Sequence, residues 1–216
     1  MKAAVFDCHS GIAGDMTIGA FLDAGFDFGL LKREISKLGL HGVRLAARKT
    51  RRGILAGTKF EVMIRRSAHG THTSLADIQN RIQKSRIHPG IKALALKIFR
   101  TLAQAEAKVH GTTLSRVMLH EAGAIDAIVD VVGTAAIFHH LALRRIFVRD
   151  LSAGGGEVHA GSHGKVGAPS PVTLELLKGF PVTFVANPHE MVTPTGAAIL
   201  AALAERTTGP VALEVE

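Results

Sequence analysis

The sequence predicts an α/β fold, a mixed sheet with flanking helices and a helical insertion or subdomain at about 74–143. Three observations carry this expectation. Strand-like and helix-like stretches alternate at both ends of the chain, the middle section shows helical spacing alone, and glycine-bearing loops separate the two patterns. At 216 residues the chain fits one large domain or two small ones, and residues 1–216 are taken as a single domain.

In chain order, Ala3–Phe6 is a short apolar run with the length of a buried strand. The loop Asp7–Gly14 follows, and a helix is expected from Asp15 to Ala24. Leu31, Ile35 and Leu38 recur at i, i+4 and i+7, which predicts a second helix closed by Gly39. Val43–Arg48 and Thr58–Arg65 read as strands joined by a basic turn at Arg51, Arg52 and Gly53. The segment from Ala68 to His72 is the best linker. Ser74 and Asp77 then form a capping box before Leu75, Ile78 and Ile82. His88-Pro89-Gly90 punctuates that helix. The next carries Ile91, Leu94, Ile98, Leu102 and Ala105 on one stripe, and Ile125, Ile128, Val129, Val132 and Ala136 mark another. Ile146–Leu151 is a strand, Glu157–Gly167 a hairpin or loop, Pro171–Leu177 a short helix closed by Gly179, Val182–Val185 a strand, and Ala197–Ala204 the last helix.

Composition excludes several classes. Apolar residues make up 47% and charged residues 20%, so disorder is not expected. No apolar run reaches the roughly 18–20 residues of a membrane-spanning helix, and the opening turns polar too early for a secretory segment. The single cysteine, Cys8, rules out an internal disulfide and points to the cytoplasm. With no Trp and no Tyr, a nucleic-acid surface would have only Phe and Arg for stacking. The formal charge of +8 predicts an affinity for anions, and twelve histidines are many for packing alone.

Four segments offer chemistry. The run Asp7-Cys8-His9-Ser10-Gly11-Ile12-Ala13-Gly14-Asp15 lies between strand and helix, where α/β sheets bind ligands, and its glycines permit close backbone approach. The same residues also read as a turn and a helix cap, and they match neither a Rossmann nor a P-loop spacing. Asp126 and Asp130 are four apart and share a helix face, with His120 and Glu121 just upstream, a donor set suited to a divalent first-row metal. Asp126 alone could serve the helix dipole. Asp130, flanked by Ile128, Val129, Val131 and Val132, must sit at a stripe edge or be buried with a partner. His69 and His72, with His159 and His163, are further donors in polar segments. Thr193 or Thr195 caps the last helix, where hydroxyls and N–H groups, Gly196 included, suit an anion. Arg48, Lys49, Arg51, Arg52 and Lys59 form the densest basic stretch, a solvated face or a screen for an anionic substrate.

Taken together, Phe6–Met16, Arg51–Lys59, His120–Gly133 and Glu190–Leu200, with His163–Val182 more loosely, resemble the nickel-insertion family of nickel-pincer cofactor biosynthesis, the LarC family. The resemblance implies a cytoplasmic nickel chelatase of the lyase class. It would insert Ni(II) into pyridinium-3,5-bisthiocarboxylic acid mononucleotide with one Ni–C and two Ni–S bonds, for lactate racemase-type enzymes. It also implies CTP with Mn(II) or Mg(II), and a C-terminal CTP-associated domain that these 216 residues do not include, so the chain is expected to be the amino-terminal part. On this reading His120, Glu121, Asp126, Asp130, His69 and His72 handle metal, and Asp126 and Asp130 also act in the chemistry. Asp7, Ser10, Gly11, Gly14, Asp15, Arg51, Lys59, Thr193, Thr195 and Gly196 bind substrate. No membrane and no nucleic acid is expected, and a homo-oligomer is compatible. The alternative is a non-catalytic nickel metallochaperone. Two departures stand out: the family's denser histidine run is reduced to His69 and His72, and His9 replaces a residue of another kind.

Overall fold

The structure, a computed structural model, describes residues 2–65, 73–119, 124–159, 164–206 and 212. It is mixed α/β, as expected, with strands that pair two by two instead of joining one continuous sheet. Strand β1 (Ala3–Asp7) leads through a loop to helix α1 (Gly14–Asp23) and then α2 (Phe28–Ser36). Next comes the antiparallel hairpin of β2 (Val43–Arg52) and β3 (Leu55–Ile64). The short β4 (Thr73–Ser74) pairs with β5 (Met118–Leu119) around α3 (Leu75–Lys84) and α4 (Pro89–Val109). Helix α5 (Ile125–His140), β6 (Arg145–Arg149), β7 (Ser152–Gly154) and the hairpin β8 (Gly156–His159) and β9 (Lys165–Ala168) follow, then α6 (Pro171–Leu176), β10 (Thr183–Val185) and α7 (Pro194–Leu203).

The middle section supplies the centre of the core. Helix α5 is buried from Ala127 to Phe138 with a single interruption, Asp130. A helix apolar on all sides must be covered on all sides: α1, α2, α4, α7 and β3 all pack against it. Helix α4 turns Ile91, Ile98 and Leu102 inward with no exposure, each contributing roughly 1.5–3 kcal/mol. Phe6, Phe21 and Phe138 meet edge-on or tilted, with centroids 5.5–6.1 Å apart, tying β1 and α1 to the end of α5. The capping box forms as expected: the Ser74 side chain accepts from Asp77 N while Asp77 accepts from Ser74 N.

Several boundaries differ from the sequence reading. Strand β1 is not enclosed. It pairs in parallel with β6, and Val5 is 47% exposed because only one face meets the core. Arg51 and Arg52 belong to β2, paired with Ala56 and Leu55, so the turn shortens to Gly53 and Ile54. The last helix starts three residues earlier, since Pro194 fits a first-turn position that has no N–H bond to lose. The linker at 68–72 falls outside the described residues.

One buried ion cluster steadies the α2–α5 contact. Glu34 is 4% exposed, and its Oε1 accepts from Lys37 Nζ at 2.8 Å and faces His140 Nε2 at 3.3 Å. Burial raises the carboxyl's affinity for protons, but the bonds and charges of Lys37 and His140 outweigh it, and the pKa falls below the usual Glu value. A depressed carboxylate adds stability above its unfolded pKa and loses it as the pH falls through the folded one. Glu34→Gln is expected to cost roughly 1–3 kcal/mol at pH 7 and to flatten the acid limb of thermal melts followed from pH 7 downward. An unchanged acid limb would refute the role of this cluster.

Candidate functional site

Three helix N-termini meet at one cleft. The loop after β1 and the segment before α7, some 180 residues apart in sequence, pair as a short ladder: Ile12 N donates to Met191 O at 2.9 Å and Thr193 N to Ile12 O at 3.1 Å. This brings the starts of α1 and α7 side by side. Gly14, the first residue of α1, then lies against α5, where a Cβ would stand 2.6 Å from the Asp130 Cβ and 2.8 Å from its Oδ2. The absent side chain is what lets the α1 backbone reach that carboxyl, and Asp15 N–H donates to it.

The resulting cleft has a volume of about 530 Å³. Among the described residues its charged lining is Asp15, Asp126, Asp130, Glu61 and Glu190, with Lys59 the one cation. Gly14, Ala127, Thr193 and Thr195 complete the helix-end wall, and Phe60, Val62 and Met63 of β3 form the opposite one. The strand alternation carries Lys59, Glu61 and Met63 along one face. Lys59 Nζ lies 2.7 Å from Glu61 Oε1 while Arg48 Nε donates to Glu61 Oε2 at 3.0 Å. Arg48 first, then Lys59, hold the Glu61 carboxyl down at about 2.

Asp130 is the most perturbed group. Burial first, then the charges of Asp15 and Asp126, push its pKa to about 8 against the one favourable bond from Asp15 N. Its Oδ1 is out of solvent reach and has no hydrogen-bond partner among the described residues. Such a group binds a proton or a cation in preference to remaining a bare carboxylate. Asp15 and Asp126 each accept from the next residue's amide, at 2.8 and 3.0 Å. Thr193 caps α7 by accepting from Gly196 N at 3.1 Å. Of these three helices only α7 has a side-chain N-cap; α1 and α5 begin at Ala13 and Ala124 without one, and the acids of their first turns line the cleft.

The cleft therefore gathers Gly14, Asp15, Lys59, Asp126, Asp130, Thr193 and Thr195 from the residues singled out in the sequence. Gly11 and Gly196 are buried joints of the ladder and do not line it. Asp7, Ser10 and Arg51 also stand outside the lining. Asp7 accepts from His9 N and lies 3.9 Å from Arg149, and Arg51 sits toward the hairpin tip, away from the register of Lys59. Cys8 is buried, and burial followed by the charge of Asp7 raises its thiol to about 12, so it stays protonated. His69, His72, His120, Glu121 and His163 lie outside the described residues. Among the described residues, no group of three or more His, Cys, Asp or Glu side chains is arranged to hold a metal ion. Sequence reasoning gave no role to Glu61, Met63 or Glu190. For the first two the signal was their alternation with Lys59.

The family model described as nickel insertion protein matches residues 4–216. A putative nickel insertion protein of Geobacter sp. (strain M21) is 46% identical over 205 residues, 95% of this chain and 53% of the relative. The pyridinium-3,5-bisthiocarboxylic acid mononucleotide nickel insertion proteins of Desulfitobacterium hafniense (strain DSM 10664 / DCB-2) and Akkermansia muciniphila are 43% and 40% identical. They cover 97% and 98% of this chain and 51% and 54% of themselves. The chain spans about half the length of these curated relatives. No solved structure matches it. No described helix is long and apolar enough to cross a membrane.

Proposed function

Because the chain belongs to the nickel insertion protein family, we propose that its carboxylate-lined cleft holds Ni(II) during insertion into pyridinium-3,5-bisthiocarboxylic acid mononucleotide, the compound in the names of its relatives. The observation that carries this reading is the gathering of five carboxylates in one cleft of a chain with formal charge +8. Against that overall charge, the cleft makes a local negative field that draws in a divalent cation and tolerates a pyridinium ring. Oxygen donors hold Ni(II) loosely, and the softer thiocarboxylate sulfurs take it over. Formation of the Ni–C bond releases a proton from the ring carbon. Asp130, with a pKa near 8, exchanges protons close to neutral pH, and a cation beside it favours the carboxylate that accepts one. Thr193 and Thr195, at the α7 N-terminus, border the same space and offer contacts to the anionic part of the substrate. On this reading the chain is the metal- and substrate-handling part of a nickel chelatase, a lyase. CTP and Mn(II) or Mg(II) are requirements of the complete reaction to which no cleft residue is assigned.

Titration with Ni(II), with and without the thiocarboxylate mononucleotide, tests the proposal. Uptake that depends on substrate is expected, and Asp126→Ala and Asp130→Ala should each reduce it by about 10–100-fold. Uptake indifferent to substrate would favour a metallochaperone. Unchanged substrate-dependent insertion in both variants would remove these residues from the site.

A further inference from the structure

A second depression, sharing no residue with the cleft, opens where the C-terminal ends of α2 and α3 approach each other. Its volume is about 810 Å³, and its charged lining is Lys37, Arg81, Lys84 and Arg86 against Asp77. The acid is already engaged, since Asp77 accepts from both the backbone N and the hydroxyl of Ser74. Lys37 is held by Glu34. Lys84 and Arg86 make no ion pair among the described residues, and Arg81 has only the nearby Asp77.

Cations are common at helix C-termini because the last carbonyls lack partners. That explanation does not suffice here. Lys92 already serves this end, its Nζ donating to Gln83 O at 2.7 Å and Ser85 O at 2.8 Å. Asp77, Asn80, Arg81 and Lys84 fall at i, i+3, i+4 and i+7 and so share one face of α3. That face is exposed and forms one wall of the open depression, with Ser36–Gly39 as the other. Like charges held along a concave wall repel one another and focus a positive potential that an anion relieves.

We infer that this groove binds a small phosphate-bearing anion through its phosphate oxygens, without reading a base. The volume falls in the range of small-ligand sites, roughly 300–1,000 Å³. The guanidinium groups of Arg81 and Arg86 and the ammonium of Lys84 complement phosphate oxygens in charge. Among the described residues the lining has no aromatic side chain to serve as a stacking platform for a nucleobase. The inference stands apart from the nickel reading, because its residues and its ligand charge are both different.

Calorimetric titration of the chain with inorganic pyrophosphate at low ionic strength tests it. Saturable binding that weakens with salt is expected, and Lys84→Gln/Arg86→Gln should raise Kd by at least about tenfold. Arg86→Lys should retain most of the affinity. Adenosine, cytidine and guanosine triphosphates should bind within about threefold of one another. These side chains are exposed or at the groove surface, and thermal melts of the variants verify that folding is kept. Absence of saturable pyrophosphate binding, equal binding by the double variant, a strong base preference, or tighter binding of a single-stranded oligonucleotide would each overturn the inference.

Discussion

Asp130→Asn is expected to raise the melting temperature of the metal-free chain while abolishing substrate-dependent nickel uptake. The carboxyl is buried, flanked by Asp15 and Asp126, and displaced from 3.8 to about 8. Between those values the folded chain binds a proton that the unfolded chain has released. Stability is therefore fullest below about pH 4 and declines as the pH rises toward 8, beyond which it is flat. At roughly 1.4 kcal/mol per unit, the penalty at pH 7 is on the order of 4 kcal/mol. Asparagine removes the ionisation and keeps an oxygen to accept from Asp15 N, so part of that penalty is recovered and Tm should rise by roughly 5–10 °C at pH 7–8. Near pH 4 the two proteins should converge. A divalent cation should stabilise the parent at pH 8 and not the variant, because the ion interacts with a folded-state carboxylate that asparagine lacks. Parallel melting curves for parent and variant across pH 4–8 would show that Asp130 is an ordinary structural carboxyl.

A destabilising group that the chain retains is what a site shaped for a ligand looks like. The other acids of the cleft do not show it. Asp15 and Asp126 bond to their own helix amides, and Glu61 is neutralised by two cations. Only Asp130 breaks the otherwise continuous burial of α5, and only there does a buried carboxyl oxygen of the cleft go without a partner among the described residues.

That singularity was legible in the sequence, because a carboxylate between Ile128, Val129, Val131 and Val132 conflicts with helical amphipathicity. The helices, the capping box at Ser74 and the cap at Thr193 were legible for a similar reason, being set by residues within a few positions of one another. Long-range backbone pairing was not. Nothing local tells Ile12 that its partner is Met191, or the three residues of β7 that they will meet β10, since such short strands carry no usable periodicity. The β3 wall was half legible. Alternation put Lys59, Glu61 and Met63 on one face but could not say that this stretch of β3 borders the cleft, where Phe60 and Val62 line it too. Within the basic stretch, Lys49 pairs with Asp23, and Arg48 and Lys59 share Glu61, partners that the sequence alone did not indicate.

The joint between the two helix starts gives the second large effect. Gly11 has φ +81°, and a Cβ built on it collides with the backbone carbonyl of Met191. Gly11→Ala therefore carries two penalties, the left-handed conformation at roughly 1–2 kcal/mol and a clash with backbone that no side-chain rotation relieves. The ladder from Ile12 to Met191 and Thr193 must then open, separating the α1 and α7 walls of the cleft, and a total loss above about 3 kcal/mol is expected in denaturant titrations. Gly53 is the control. Its φ is also positive, at +60°, but nothing lies within 4 Å of its added Cβ, so Gly53→Ala should cost about 1 kcal/mol and leave nickel uptake intact. The difference between the two variants isolates the close approach from the backbone sign. If Gly11→Ala proved no worse than Gly53→Ala, the early loop and the late segment would not be joined as described, and the cleft would lose the contact that brings two of its three helix ends together.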